Sequence, residues 1–147
     1  MALNLQILSV QRTLFDGEIE MVNAPGESGE MGILPGHAPL LTALKEGELR
    51  ARLVGGGEEH FVIWGGFMEV RLDQVVVLAD AAEHGDEIDL TRAEEARDAA
   101  VQQLAQAAAG SADLEAARRD LRRSTIRVRT ARRRRSDPLR TRQEKGE

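Results

Sequence analysis

Between Gly29 and Gly47 the chain reads GEMGILPGHAPLLTALKEG, and its two prolines constrain the path more than any other stretch. Pro35 and Pro39 enclose Gly36-His37-Ala38, with Met31, Ile33, Leu34, Leu40 and Leu41 on either side. Proline holds its own φ and drives the residue before it out of the helical region, so Leu34 and Ala38 are extended. Gly36 accepts the positive φ that a tight corner after Pro35 demands. The stretch predicts a short strand, a rigid corner and a second short strand, with His37 at the tip.

A lone histidine at such a corner invites a catalytic or metal-binding reading. Neither His60 nor His84 stands at a ligand spacing from it, and the chain has no cysteine, so the sequence carries no zinc pattern. A small sandwich enzyme built on His37 would also need a nucleophile or base beside it, and no such constellation is present. His37 is read as a hydrogen-bonding corner residue.

The net charge of −5 conceals two different halves. Residues 1–90 carry 16 Asp/Glu against 5 Lys/Arg, whereas residues 91–147 carry 9 against 15. The halves therefore face different partners, and a domain boundary falls near residue 88. No N-terminal apolar run has signal-peptide length, and none approaches the roughly 20 residues of a membrane span. The chain is read as soluble by itself, and the lack of cysteine fits a reducing compartment.

Before the boundary, short apolar runs alternate with turns. Leu3, Leu5 and Ile7, with Leu8 and Val10 less regularly, mark a first strand; Asp16-Gly17 leads into Ile19 and Met21, and Pro25-Gly26 ends the second. Leu49, Ala51 and Leu53 alternate with Arg50 and Arg52 before the Gly55-Gly56-Gly57 turn. Phe61 and Ile63, then Phe67, Val70 and Leu72, flank Gly65-Gly66, a pair that predicts a bulge or close backbone approach. Val75 to Ala79 is nearly unbroken and β-branched, predicting a strand buried on both faces. Strands at this spacing make a β-sandwich or flattened barrel, and with few aromatics its core falls to Leu, Val and Ile.

After Gly85 the period becomes helical. Leu90, Ala93, Ala96, Ala100, Leu104 and Ala107 share one face, with Asp89 and Thr91 competing to cap the start. Leu114, Ala117, Leu121, Thr125 and Val128 form the seam of a second helix, joined by the tight Gly110–Asp113 link into an antiparallel hairpin. Alanine buries little apolar area, so the pairing is thin. Two readings stay open: a permanently docked hairpin, or helices that separate without melting. Beyond it, Arg132 to Arg135 extends a basic helix that Ser136-Asp137-Pro138 ends, and residues 136–147 are read as a disordered tail. Such a run suits nucleic acid or an acidic protein surface, and an arginine-tailed nucleic-acid-binding protein is the alternative function. The absence of interleaved aromatics counts against base stacking.

Four ordered segments carry a resemblance. They are Gly32-Ile33-Leu34-Pro35-Gly36-His37-Ala38-Pro39-Leu40-Leu41, Gly65-Gly66-Phe67-Met68-Glu69-Val70, Val75 to Ala82, and Ile88-Asp89-Leu90-Thr91-Arg92-Ala93. Across about residues 3–130 the chain resembles the epsilon subunits of F-type ATP synthases. The resemblance implies an α+β chain: an N-terminal ten-stranded β-sandwich over residues 1–87, then a regulatory antiparallel two-helix hairpin over 88–135. It implies a non-catalytic rotor subunit in which the sandwich grips gamma and rests on the c-ring. The hairpin would inhibit ATP hydrolysis at the alpha and beta catalytic-head subunits. Membrane association would come only through the complex, peripherally, on the cytoplasmic face of a bacterial cell membrane, and no nucleic acid is expected.

Position by position, the resemblance places Glu30 towards the c-ring loops and Ser9, His37 and Thr42 near gamma, with Arg118, Arg119 and Arg122 meeting acidic segments of the head. No cofactor is required. Ile88, Asp89, Arg92 and Ala93 match the I/L-D-x-x-R-A pattern with which some epsilon subunits bind regulatory ATP, and Glu83, Arg123 and Arg127 match further contacts. No metal or catalytic residue is implied. Trp64 departs from the family, which commonly has a smaller residue there, and the arginine run and tail extend past the usual end of the second helix.

Overall fold

The structure, a computed structural model, describes the backbone of residues 2–136 and the side chains of residues 2–134. The expectations for the tail beyond Ser136 lie outside the described residues. Seven strands come first: β1 (Leu3–Ser9), β2 (Thr13–Gly26), β3 (Gly29–Ile33), β4 (Leu40–Leu53), β5 (Glu58–Arg71), β6 (Gln74–Ala79) and β7 (Ala82–His84). A 3-10 turn, Gly85–Glu87, leads to α1 (Leu90–Gln106) and α2 (Ala112–Ser136).

The strands run in the order β1-β6-β5-β4-β2-β3, and a further β1–β2 pairing closes β1, β6, β5, β4 and β2 into a ring. The domain is thus a flattened barrel, with β3 alongside β2 and β7 alongside β5. The β1–β6 seam is parallel, Asn4 against Gln74 through Ser9 against Ala79; the other pairings are antiparallel.

The implied ten strands are seven because three of them, β2, β4 and β5, are each 14 residues long and run on through positions where separate short strands were expected. β2 pairs with β1 up to Ile19 and with β4 from there on, with register shifts at Ile19/Met21 and between Asn23 and Gly26. β5 pairs with β7 at Phe61–Ile63 and with β6 from Gly66 onward. The exchange happens at Gly65-Gly66, where φ is +86° and +136°. Side-chain alternation changes phase there: Phe61 and Ile63 point into the core before it, Met68 and Val70 after it. Phe67, which the sequence reading grouped with Val70 and Leu72, consequently faces out.

The core is filled by Leu3, Leu5 and Ile7 of β1, Ile19 and Val22 of β2, Leu49 of β4, Phe61 and Met68 of β5, and Val75 and Val77 of β6. β6 is not buried on both faces as its composition suggested. Val75, Val77 and Ala79 are buried, Val76 is partly covered and Leu78 is 55% exposed. Among the described residues no second layer covers that side of the sheet, so β-branched content here reflects strand propensity rather than double burial.

The proline corner forms as expected. Gly36 takes φ +84°, the His37 N–H donates to the Leu34 carbonyl at 3.1 Å, and the Gly36 N–H donates to Asp73 Oδ1 at 2.9 Å. The last contact ties the corner to the β5–β6 turn. The strand after the corner is long, not short: β4 runs on without a break to Leu53.

Gly66 leaves the least room for a side chain among the glycines of the barrel. A Cβ there would fall on the Leu78 carbonyl oxygen and 2.8 Å from Ala79 Cα, at a φ that L-residues avoid. Strain and overpacking each cost about 1–3 kcal/mol. Gly66→Ala is expected to lose about 3 kcal/mol or more in denaturant unfolding. A loss under about 1 kcal/mol would show that β5 and β6 part easily at this point.

Candidate functional site

Chemistry-bearing side chains concentrate where the hairpin meets the barrel. Asp89, in extended conformation, caps α1 by accepting the Arg92 N–H at 3.1 Å, which settles the start in favour of Asp89 over Thr91. Ser111 Oγ accepts the Leu114 N–H at 3.1 Å and caps α2. Ile88 and Ala93 join Val62, Val128 and Ala131 in a small second core, with Trp64, Leu90 and Ile126 packed against it. On α2 the seam runs through Ala117, Ser124 and Val128, so Ser124 takes the most buried place at the turn expected for Thr125. Ala96, expected in the α1 seam, is exposed.

Register explains what α2 meets. Glu46 lies directly opposite Trp64, Glu48 opposite Val62, and Val62 opposite Glu83. Directly opposed residues share a face, so three carboxylates flank an apolar strip on the outside of the barrel. Over this strip Arg123, Arg127, Thr130 and Arg134 of α2 recur every three or four positions on one helical face, with Arg122 and Arg133 beside them. Arg122 and Arg123 each reach Glu46 at 3.0 Å, and Arg127 reaches Glu83 at 3.0 Å. Thr130 Oγ1 donates to Glu48 at 2.8 Å, Arg133 pairs with Glu48 at 2.7 Å, and Arg134 pairs with Asp86. Trp64 Nε1 donates to Glu83 Oε2 at 2.8 Å, and the Arg127 and Arg123 guanidinium carbons lie 4.9 and 5.5 Å from the Trp64 ring centroid. Burial pushes the Glu46 carboxyl up, but the hydrogen bonds from Arg122 and Arg123 outweigh it and hold the group below the usual carboxylate range.

The residues expected to bind ATP are only partly assembled. Glu83 and Arg127 are in contact, Ile88 and Ala93 pack together, and Asp89 caps Arg92. Arg92 itself is 87% exposed and 3.9 Å from Asp89. Between the helices lies a cleft of roughly 340 Å³ lined by Ala96, Ala100, Gln103, Ser124, Arg123 and Arg127 among others.

The expected interface residues are spread over the barrel. Ser9 Oγ accepts the Gln11 and Arg12 N–H groups and shapes the β1–β2 turn. His37 Nδ1 lies 2.6 Å from the Ala38 carbonyl, a corner contact. Glu30 sits on β3, just past the Glu27-Ser28 turn rather than in a turn itself, and pairs with Arg50 at 2.8 Å. Thr42 is directly opposite the buried Met68, on the core side. Arg118 and Arg119 are exposed on α2, Arg118 pairing with Glu115 at 3.2 Å.

Sequence reasoning missed the barrel's outer apolar row. Ala43, Phe67, Leu78 and Leu8 stand directly opposite one another across β4, β5, β6 and β1. Phe67 is 56% exposed, and Leu41 beside the row is 69% exposed. The phase change at Gly65-Gly66 was the available signal, since it turns Phe67 outward.

It missed one polar cluster as well. Glu59, His84 and Asp86 bring ligand-type atoms within 4.8 Å of one another. His84 Nε2 is 2.7 Å from Glu59, and Nδ1 accepts the Asp86 N–H at 3.0 Å. Both ring nitrogens are thus engaged in fixing the chain as it leaves the barrel. Nearby, the two terminal nitrogens of the Arg12 guanidinium each donate to the Glu87 carboxylate at 2.6 Å, and these hydrogen bonds hold that carboxyl below its usual range.

Residues 2–85 match the family described as ATP synthase, Delta/Epsilon chain, beta-sandwich domain. An ATP synthase epsilon chain of Dehalococcoides mccartyi is 46% identical over 136 residues, 92% of this chain and 96% of that protein. One from Herpetosiphon aurantiacus is 44% identical over 136 residues, 92% of this chain and 98% of its own length. Among solved structures, a chain of the Euglena gracilis mitochondrial ATP synthase superposes with TM-score 0.75 at 22% identity, covering 85% of this chain and 78% of that one. That likeness is one of fold, whereas the two bacterial relatives match in sequence along nearly their whole length. With the barrel-plus-hairpin architecture also in place, the chain belongs to the ATP synthase epsilon-chain family.

Proposed function

We propose that the chain is a non-catalytic central-stalk subunit of a proton-translocating ATP synthase, its barrel seated on gamma and against the c-ring and its hairpin restraining ATP hydrolysis. The relatives are named epsilon chains, and the Euglena structure is of an OSCP/F1/c-ring assembly. The observation that carries the reading is the apolar row Ala43–Phe67–Leu78–Leu8 with Leu41. A folded domain with a filled core has no use of its own for such a strip, and exposed apolar patches mark protein contacts. Gamma is the proposed occupant. No helix among the described residues is long and apolar enough to cross a membrane, in keeping with peripheral attachment through the complex at the cytoplasmic face. The nucleic-acid alternative loses its main support, because Arg122, Arg123, Arg127, Arg133 and Arg134 face the barrel's own carboxylates.

The hairpin reading rests on what α2 leaves outward. Arg118 and Arg119 project away from the barrel carboxylates, available to an acidic surface of the catalytic head when α2 extends. The regulatory ATP reading rests on the interhelical cleft, whose lining includes Arg123 and Arg127, and on the complete motif from Ile88 to Ala93. Guanidinium groups suit phosphate oxygens, and a ligand touching both helices favours the folded hairpin in proportion to its differential affinity for it.

Three outcomes are expected. Phe67→Asp and Leu78→Asp should each leave thermal unfolding within a few degrees of the parent, since both side chains point outward, yet lower retention of the chain in complexes reconstituted with gamma at least tenfold; undiminished retention would exclude the apolar row. Arg118→Ala with Arg119→Ala should raise ATP hydrolysis by the assembled enzyme without loosening α2, as neither residue touches the barrel. Unchanged hydrolysis with normal assembly removes this pair from inhibition. In titration calorimetry the isolated chain should bind ATP with a dissociation constant of about 1 mM or tighter, roughly −4 kcal/mol, and Arg92→Ala should weaken binding. No heat, or equal binding by both proteins, rules the site out.

A further inference from the structure

Trp64 stands on the outer face of β5, between the barrel and α2, and three separate contacts converge on it. Its indole N–H donates to Glu83 Oε2 at 2.8 Å. The same oxygen accepts from Arg127 Nε at 3.0 Å. The ring itself lies beneath two guanidinium groups of α2, four residues apart and so on one helical face, at 4.9 Å for Arg127 and 5.5 Å for Arg123. Arg123 is held in turn by Glu46, the residue directly opposite Trp64 on β4. One aromatic plane thus orients two arginines, and the carboxylates on either side of it complete their hydrogen bonding.

An alanine seam between α1 and α2 contributes little packing, so a hairpin depending on that seam alone would dock weakly. Carboxylate pairs at a half-exposed surface contribute little individually, because water screens them and long side chains must be ordered. A stacked guanidinium is different: the ring restricts the side chain before the carboxylate binds it and adds cation–π attraction. Trp64 also packs against the second core with Ile126 of α2, extending the apolar contact beneath the arginines.

We propose that Trp64 is a positioning residue that, with Glu46 and Glu83, clasps Arg123 and Arg127 and closes the hairpin onto the barrel without any ligand. The clasp does not rest on the nucleotide reading; it operates in the chain alone. Any anion that draws Arg123 and Arg127 into the interhelical cleft must first compete with Glu46 and Glu83 for them.

Hydrogen exchange on the full chain tests the clasp. In Trp64→Ala the amides from Ala117 to Ala131 should exchange at least tenfold faster than in the parent, while β1 and β6 amides keep their rates. Trp64→Phe, which retains the ring but not the indole N–H, should fall between the two. Arg127→Ala should accelerate the same amides, and adding Trp64→Ala to it should accelerate them by clearly less than the product of the two single effects. If Trp64→Ala also exposes the barrel, Glu83→Gln, which removes charge and no volume, decides the matter: faster exchange confined to α2 supports the clasp. Unchanged α2 protection in Glu83→Gln, or fully multiplicative effects of Trp64→Ala and Arg127→Ala, overturns it.

Discussion

The structure depends first on the change of phase at Gly65-Gly66. A strand alternates its side chains between two faces, so a 14-residue β5 without interruption would present one set inward throughout. The two positive-φ glycines shift that pattern by one residue. Ahead of them, Phe61 and Ile63 enter the core while Val62 and Trp64 turn out beneath α2; beyond them, Met68 and Val70 enter the core while Phe67 turns out to the apolar row. One strand thereby serves the core with both halves and offers two unlike outer surfaces. Only glycine fits here, because at Gly66 the backbone of β6 occupies the space a side chain would need.

The other half of the molecule is held by a different balance. The hairpin packs few large side chains: Ile88, Ala93, Val128 and Ala131 close over Val62, and much of the remaining contact is polar. Arginines meet carboxylates at Glu46, Glu48, Glu83 and Asp86 across a surface that water still reaches. Such contacts fix register and orientation more than they add stability, and salt weakens them. The acidic first half and basic second half of the sequence are therefore partners within one chain before either meets anything else.

Much of this was legible in the residues. The proline corner, the turn glycines, the change from strands to helices after His84 and part of the alanine seam follow from local rules that leave few alternatives, and Gly65-Gly66 announced a close approach. The strand number was not legible, because glycines within β2, β4 and β5 look like strand ends when only apolar runs and turn residues are read. The outward turn of Phe67 and the half-exposed β6 depended on phase and on the absence of a covering layer, which composition does not encode. At the junction the pairing of Arg122 and Arg123 with Glu46 joins residues 76 and 77 positions apart. Spacing within one helix gives the arginine face, but only strand register places Glu46, Trp64, Val62 and Glu83 beneath it. Arg92 shows the converse: its motif is complete in sequence, while its side chain stands in solvent.

The parallel seam between β1 and β6 has a consequence for how the molecule is made. Asn4 pairs with Gln74 and Ser9 with Ala79, so β1 finds one of its two neighbours 70 positions later in the chain. On the ribosome β1 can pair early with β2, but its other edge stays open until β6 has emerged. Pairings of such sequence separation are slow to form and leave an unsatisfied strand edge while they wait. The ring therefore closes late in synthesis, and α2, whose footing is the completed outer face of β4, β5 and β7, arrives only after the ring exists. Assembly order is in this sense written into topology: barrel closure precedes docking of the arm, and a chain stalled before residue 80 would carry β1 with one edge bare.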